Sequence, residues 1–214
     1  FKYIMHYITP ADYEAAKKGI DTSLKKLGLD YMDLYLLHQP YFDTVGAWQA
    51  LSEAQKAGKI KSIGVSNMTP RFFNDFVGKI DVKPAVNQVE CNPYFQQKEL
   101  RQEIKKYGTV LEAWYPFGHG NKDLLNNEVL VNLAHKYHKD VAQIILRWHI
   151  QEGIVALPKS TSGAHIKSNI EVFDFALNDE EMAQIRTLDT GKGTHNPEAD
   201  GVGEMLLNNY KVHN

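Results

Sequence analysis

A single cysteine, Cys91, stands among 214 residues. The chain can therefore form no internal disulfide, and the reducing cytoplasm is the compartment that suits it. A lone thiol of this kind is more often a small buried hydrophobe than a nucleophile. No apolar run approaches the ~20 residues that span a bilayer, and the first residues lack the charged-then-apolar layout of a signal peptide. No membrane partner is expected. Neither charge sign dominates: 24 lysines and arginines face 26 aspartates and glutamates, without a long run of either. That leaves no basic footprint for nucleic acid and points to a small-molecule partner. Low-complexity linkers and close repeats are missing too, so one domain over residues 1–214, working as a monomer, is the expectation.

What is present is an alternation of short apolar strands with amphipathic helices, the pattern of a parallel α/β sheet. In the first helix Thr9 suits the N-cap, Pro10 the first helical position and Asp12 the capping-box acid. Tyr13, Ala16, Ile20, Leu24 and Leu27 make its apolar face, and Gly28 suits its C-terminal stop. Strands are expected at Tyr31–Leu37, Ile60–Val65, Ala85–Glu90, Val110–Trp114 and Ile154–Leu157, with Phe1–Ile8 a further candidate. Between them lie helices at about Val45–Ala57 (Val45, Trp48 and Leu51 inward), from Thr69-Pro70, and over Glu99–Tyr107. Another is capped by Asp140 with Gln143 and turns Val141, Ile144, Ile145 and Trp148 inward. Two more start at Ser162 and Asn178. No GxGxxG follows any strand, which weighs against a dinucleotide-binding doubly wound sheet. The reading preferred is a (β/α)8 TIM barrel missing its first two β/α units.

In such a barrel chemistry gathers where strands end at the C-terminal face. Each strand here ends in hydrogen-bonding groups: His38-Gln39, then Ser66-Asn67, then Gln88 and Glu90-Cys91-Asn92, then Trp114-Tyr115, then Lys159-Ser160-Thr161. Alone, His38 reads as a satisfied histidine at a core edge and Lys159 as a solvated loop charge. As a row they outline a pocket. Ser66, Asn67 and Gln88 supply neutral donors and acceptors for a carboxamide, and Trp114 a flat face for a ring. A nicotinamide is both. "PKST" leaves a strand and enters a helix, so backbone N–H groups, hydroxyls and the Lys159 ammonium make an anion site suited to phosphate. Nine histidines, with Glu90 and Glu112 near strand ends, raise a metal-dependent hydrolase as a rival. His135 and His138 fall on a helix face or loop, and no pair has the spacing of a first coordination shell, so no metal is expected.

The motifs "LGLDYMDLYLLHQP", "AGKIKSIGVSN", "VNQVECNPY", "LEAWYPFG" and "LPKST" followed by "IKSNIEVFDFAL" resemble the aldo-keto reductase superfamily from about Asp12 to Asp189. The texture is similar to bacterial members that reduce small aldehydes or diketo sugar acids. The resemblance implies NADPH as cofactor, a small carbonyl substrate, and hydride transfer that yields an alcohol. It implies that His38 orients and polarises the substrate carbonyl. Ser66, Asn67 and Gln88 would hold the carboxamide. Trp114, with Tyr115 and Phe117 beside it, would carry the nicotinamide, while Lys159, Ser160, Thr161, His165 and Asn169 would take the 2′-phosphate and adenine.

The same resemblance exposes departures. The family's aspartate and proton-donating tyrosine belong to its first two strands, and Met5 or His6 stands where its lysine is expected. The chain is therefore expected to be N-terminally incomplete, or else to be a non-catalytic NADPH-binding module. At His165 many relatives carry arginine, and a neutral imidazole would weaken the preference for NADPH, leaving NADH a weaker alternative.

Overall fold

Helix starts in this chain are written by single side chains. In the computed structural model, which describes residues 2–4, 12–199, 201, 202 and 205, strand β1 (Lys2–Ile4) precedes helix α1 (Tyr13–Leu27). Asp12 itself is the N-cap of α1, accepting from the Ala15 N–H at 2.7 Å, a bond that satisfies an otherwise orphaned amide. Gly28 closes the helix in the left-handed conformation, as expected. Thr9 and Pro10, proposed for the same start, lie outside the described residues, as do Met5 and His6. Strand β2 (Met32–Leu37), helix α2 (Thr44–Lys56), strand β3 (Ile60–Ser66), helix α3 (Pro70–Val77) and strand β4 (Val86–Glu90) follow. Then come α4 (Lys98–Lys105), β5 (Val110–Trp114), α5 (Lys122–Leu125), α6 (Glu128–Tyr137), α7 (Val141–Gln151), β6 (Val155–Ala156), α8 (Gly163–Ser168) and α9 (Asp179–Arg186).

The described residues fall into two compact units, one from residues 1–88, 99–109 and 196–214, the other from residues 89–98 and 110–195. In the first unit β1, β2, β3 and β4 pair in that order, all parallel. Leu37 is level with Val65, Val65 with Asn87 and Ser66 with Gln88, so the strand ends form one row. Gly64 sits inside β3 for a packing reason. A Cβ there would come within 2.5 Å of the Val86 side chain and 2.6 Å of Leu36. On the helix side Trp48 is buried, donates to the Val82 carbonyl at 2.8 Å and meets the Phe76 ring edge-on at 5.4 Å. Leu51 is buried as expected. Val45 is 36% exposed, which corrects the expected inward face: the buried stripe of α2 runs through Ala47, Trp48, Ala50, Leu51 and Ala54, and Val45 lies on the other side of the helix from its centre.

Residues 197 and 198 of the first unit are tied down by polar groups. Tyr41 Oη donates to the Pro197 carbonyl at 2.8 Å. The Glu198 carboxylate accepts from Thr69 Oγ1 and, at 2.8 Å, from Arg71 Nε. The Thr69 hydroxyl and the Arg71 charge hold the Glu198 carboxyl below its ordinary pKa.

In the second unit β5 and β6 pair in parallel, Glu112 level with Val155 and Ala113 with Ala156. Helix α7 buries Ile144, Ile145 and Trp148 completely, each such side chain contributing about 1.5–3 kcal/mol. Its start is the expected Asp140–Gln143 capping box. His149, also on α7 and fully buried, places its two ring nitrogens 2.8 and 3.1 Å from the carbonyls of Ile145 and Cys91. Helices α5 and α6 were not individually anticipated. Helix α6 is joined to α9 through Glu181, whose carboxylate accepts from Tyr137 Oη at 2.6 Å, from Lys136 and from the Asn178 amide. Burial pushes this carboxyl up, but the three donors outweigh it and its pKa ends below the usual range.

Two outcomes are expected. Glu181→Ala leaves the Tyr137 hydroxyl and the Asn178 amide without their acceptor and should lower unfolding free energy by about 1–3 kcal/mol, read by urea denaturation. For Glu198, a depressed folded-state pKa means its contribution is complete above the unfolded carboxyl value of about 4.3. It disappears as pH falls through the lower folded value. Amide exchange at residues 196–199 should therefore speed up in acid relative to the adjoining strands, and Glu198→Gln should remove that acid-dependent part.

Candidate active site and cofactor site

The row of strand ends in the first unit is locked by one carbonyl. The Gln88 oxygen accepts from the Asn67 N–H at 2.9 Å and from Ser66 Oγ at 2.8 Å. Asn67 has a φ of 59°, a left-handed conformation that asparagine tolerates better than most side chains. Its amide then reaches the next strand end and donates through Nδ2 to the His38 carbonyl at 3.0 Å. Ser66 and Gln88 are buried, while His38 and Asn67 are half-buried. The structure thus gathers four of the expected residues: His38, Ser66, Asn67 and Gln88.

These bonds define what remains on offer. Ser66 has spent its one hydroxyl proton on Gln88 and retains lone pairs. Asn67 keeps Oδ1 and one N–H. Asn87 Nδ2 donates to the Met68 carbonyl at 2.9 Å, whereas its buried Oδ1 has no partner among the described residues. With the Gln88 amide included, the row carries both acceptors and donors, the mix that the two N–H groups and one carbonyl of a carboxamide call for. The residues fit the group expected from the sequence.

In the second unit the ends of β4, β5 and β6 are level as well. The Cys91 N–H donates to the Trp114 carbonyl at 3.2 Å, and the Leu157 N–H to the Ala113 carbonyl at 3.0 Å. Trp114 is half-buried with the Tyr115 ring 4.1 Å away. Tyr115 has a φ of 53° and lies 4.6 Å from His119. The turn continues through half-buried Phe117, with the Gly118 N–H donating to the Tyr115 carbonyl at 2.8 Å. Beyond β6, Lys159 and Thr161 are exposed. Ser160 Oγ accepts from the Ser162 N–H at 3.1 Å, and Ser162 caps α8 as expected. His165 and Asn169 are one turn apart on that helix, on a common face, with the Asn169 N–H on the His165 carbonyl. This loop offers hydroxyls, an ammonium and free helix-start amides to an anion.

Sequence reasoning did not single out Thr194 or His195 in the tail. Thr194 donates to Glu90 through both its N–H and its hydroxyl, and the His195 ring lies 5.8 Å from Trp114. No periodicity marks these residues, so nothing local could have singled them out. Glu90, weighed as a metal ligand, is instead the acceptor for Thr194. Among the described residues no three histidine, cysteine, aspartate or glutamate side chains are grouped to hold a metal ion, and no helix is long and apolar enough to cross a membrane.

Comparison with known proteins agrees with this arrangement. The sequence model of the aldo/keto reductase family matches residues 2–190. Morphine 6-dehydrogenase of Pseudomonas putida is 44% identical over 193 residues, 84% of this chain and 65% of that one. Glyoxal reductase of Bacillus subtilis is 46% identical over 180 residues, 82% of this chain and 63% of that one. The chain thus spans less than two thirds of the length of either relative. The crystal structure of a Bombyx mori aldo-keto reductase in complex with NADP superposes with a TM-score of 0.83 at 32% identity, over 94% of this chain and 70% of that one. With its parallel strands, its level strand ends and this match over most of its length, the chain belongs to the aldo/keto reductase family and has the α/β fold of its (β/α)8 barrels.

Proposed function

We propose that the protein is an NADP(H)-dependent oxidoreductase that reduces small aldehydes and ketones to alcohols, with His38 orienting the substrate carbonyl. The observation that carries this reading is the locked row Ser66–Asn67–Gln88 beside His38. Its side chains are neutral acceptors and donors of the kind a carboxamide needs, with a histidine next to them. NADPH, when bound, supplies the hydride. The chain's own residues do the rest: the row holds the carboxamide, Trp114 gives the ring a face, and Lys159, Ser160 and Thr161 take the 2′-phosphate. An imidazole N–H on the carbonyl oxygen stabilises charge as it develops there. The relatives named as glyoxal reductase and morphine 6-dehydrogenase support carbonyl–alcohol chemistry, and small dicarbonyls are the first substrates to try. The cytoplasm is the proposed compartment.

A second reading, cofactor binding without turnover, is favoured by one observation: the stretch "FKYIMHYI" has Met5 or His6 where the family has lysine. The two readings separate cleanly. Titration of the full-length protein with NADPH, followed by fluorescence, should show saturable binding under both. Steady oxidation of NADPH on adding glyoxal or methylglyoxal occurs only under the first.

Two substitutions test the assignments. His38→Ala should reduce kcat/KM by about 10²–10³, the usual cost of losing a donor to a developing oxyanion, while NADPH still binds. Equal turnover in this variant would remove His38 from the mechanism. His165→Arg adds a fixed positive charge near the proposed phosphate site and should raise the NADPH-to-NADH ratio of kcat/KM by about tenfold. An unchanged ratio would place the 2′-phosphate elsewhere.

A further inference from the structure

Glu90, at the end of β4, is 5% exposed. Its Oε2 is approached twice by the tail, from the Thr194 N–H at 2.8 Å and from Thr194 Oγ1 at 2.7 Å. The same Oγ1 lies 2.8 Å from Nδ1 of His195. A hydroxyl owns one proton and a carboxylate only accepts. Oγ1 must therefore give its proton to Glu90, since two lone pairs facing each other at 2.7 Å would repel. Towards His195 it can then only accept, so the imidazole carries its hydrogen on Nδ1. In the tautomer that carries its hydrogen on Nδ1, Nε2 is a bare acceptor, and no described residue bonds to it.

Two further features hold the ring in this state. The His195 ring stands 5.8 Å from Trp114, tilted by 56°. Gly193 lets the tail press inward, because a Cβ there would lie 2.6 Å from the Phe95 ring and 3.1 Å from Glu90 Oε2. Any other residue would push Thr194 off the carboxylate.

From this chain of contacts we propose that His195 is a specificity-determining residue that accepts a hydrogen bond from a hydroxyl group of the substrate. The preferred substrates are hydroxy-carbonyl compounds, with the hydroxyl one or two carbons from the reacting carbonyl, over plain alkanals. The inference rests on the reading of Trp114 as the nicotinamide platform, because only then does a reacting carbonyl come near the ring beside it. A bare acceptor selects a donor, and the negative charge of Glu90 behind Thr194 disfavours an anionic group. The neutral donor that a small carbonyl compound carries is a hydroxyl. A site built to bond a hydroxyl discriminates against the analogue that lacks it, because the acceptor is otherwise left without a partner.

The test compares D-glyceraldehyde with propanal, equal in chain length, with rates referred to the free aldehyde. NADPH affinity is measured first by fluorescence. The full-length protein should favour glyceraldehyde in kcat/KM by about tenfold or more. In His195→Phe, which keeps a ring beside Trp114 but has no acceptor, the ratio should fall towards one while NADPH still binds. His195→Gln, whose amide oxygen accepts, should recover part of the preference. A ratio in His195→Phe equal to that of the unsubstituted protein overturns the proposal, whether or not both rates fall together. Absence of NADPH binding by the unsubstituted protein overturns the platform reading and this inference with it, and is distinguished at the first titration.

Discussion

The carbonyl oxygen of Gln88 accepts two hydrogen bonds from consecutive residues of the neighbouring strand end, and the site in the first unit is organised around that double bond. A carbonyl has two lone pairs, and here both point towards β3 and its exit: one takes the Ser66 hydroxyl, the other the Asn67 amide. Just after that bond Asn67 turns into the left-handed region, and its side chain reaches the His38 carbonyl. Three strand ends are thereby cross-linked through backbone carbonyls. The Ser66 and Asn67 side chains are oriented by these internal bonds, independently of any ligand.

The second unit solves the same problem by another route. Its strand ends carry a bulky aromatic pair, Trp114 with Tyr115, and a loop of small hydroxyl residues. Order comes from the tail, which brings a hydroxyl and an imidazole onto a buried carboxylate. In the first unit, too, residues 197 and 198 end on Tyr41, Thr69 and Arg71. In both units a segment without regular secondary structure is placed by charged or carbonyl acceptors and not by apolar burial. Such contacts give direction at modest net stability.

How much of this was legible in the sequence depends on how local the cause is. Gly28, the Asp140–Gln143 box and the Asn178 cap are decided within a few residues, and they stand as expected. The strand ends His38, Ser66, Asn67 and Trp114 were visible because each closes an apolar run that fixes where a strand stops, and Gln88 because it is a polar residue inside a short strand. Val45 misled because its spacing to Trp48 and Leu51 looks helical, whereas the buried face of α2 is centred on the small residues Ala47, Ala50 and Ala54 with Leu51. Thr194 and His195 were invisible because their partner, Glu90, lies over a hundred residues away, and no pattern of spacing encodes a meeting of that range.

Gly64 has a consequence for how this sequence can change. The space its missing side chain leaves is filled by Leu36 and Val86, from the strands on either side. Strand β3 is thus packed by its neighbours' atoms at that point. A larger residue at 64 could not be absorbed by one rotamer change, because the obstacle includes the Val86 carbonyl. It would act as a wedge, parting β2 from β4, and the displacement would reach His38 and Gln88. With these two residues in the roles proposed for them, variation at this buried position would weaken ligand recognition without residue 64 itself taking part in it.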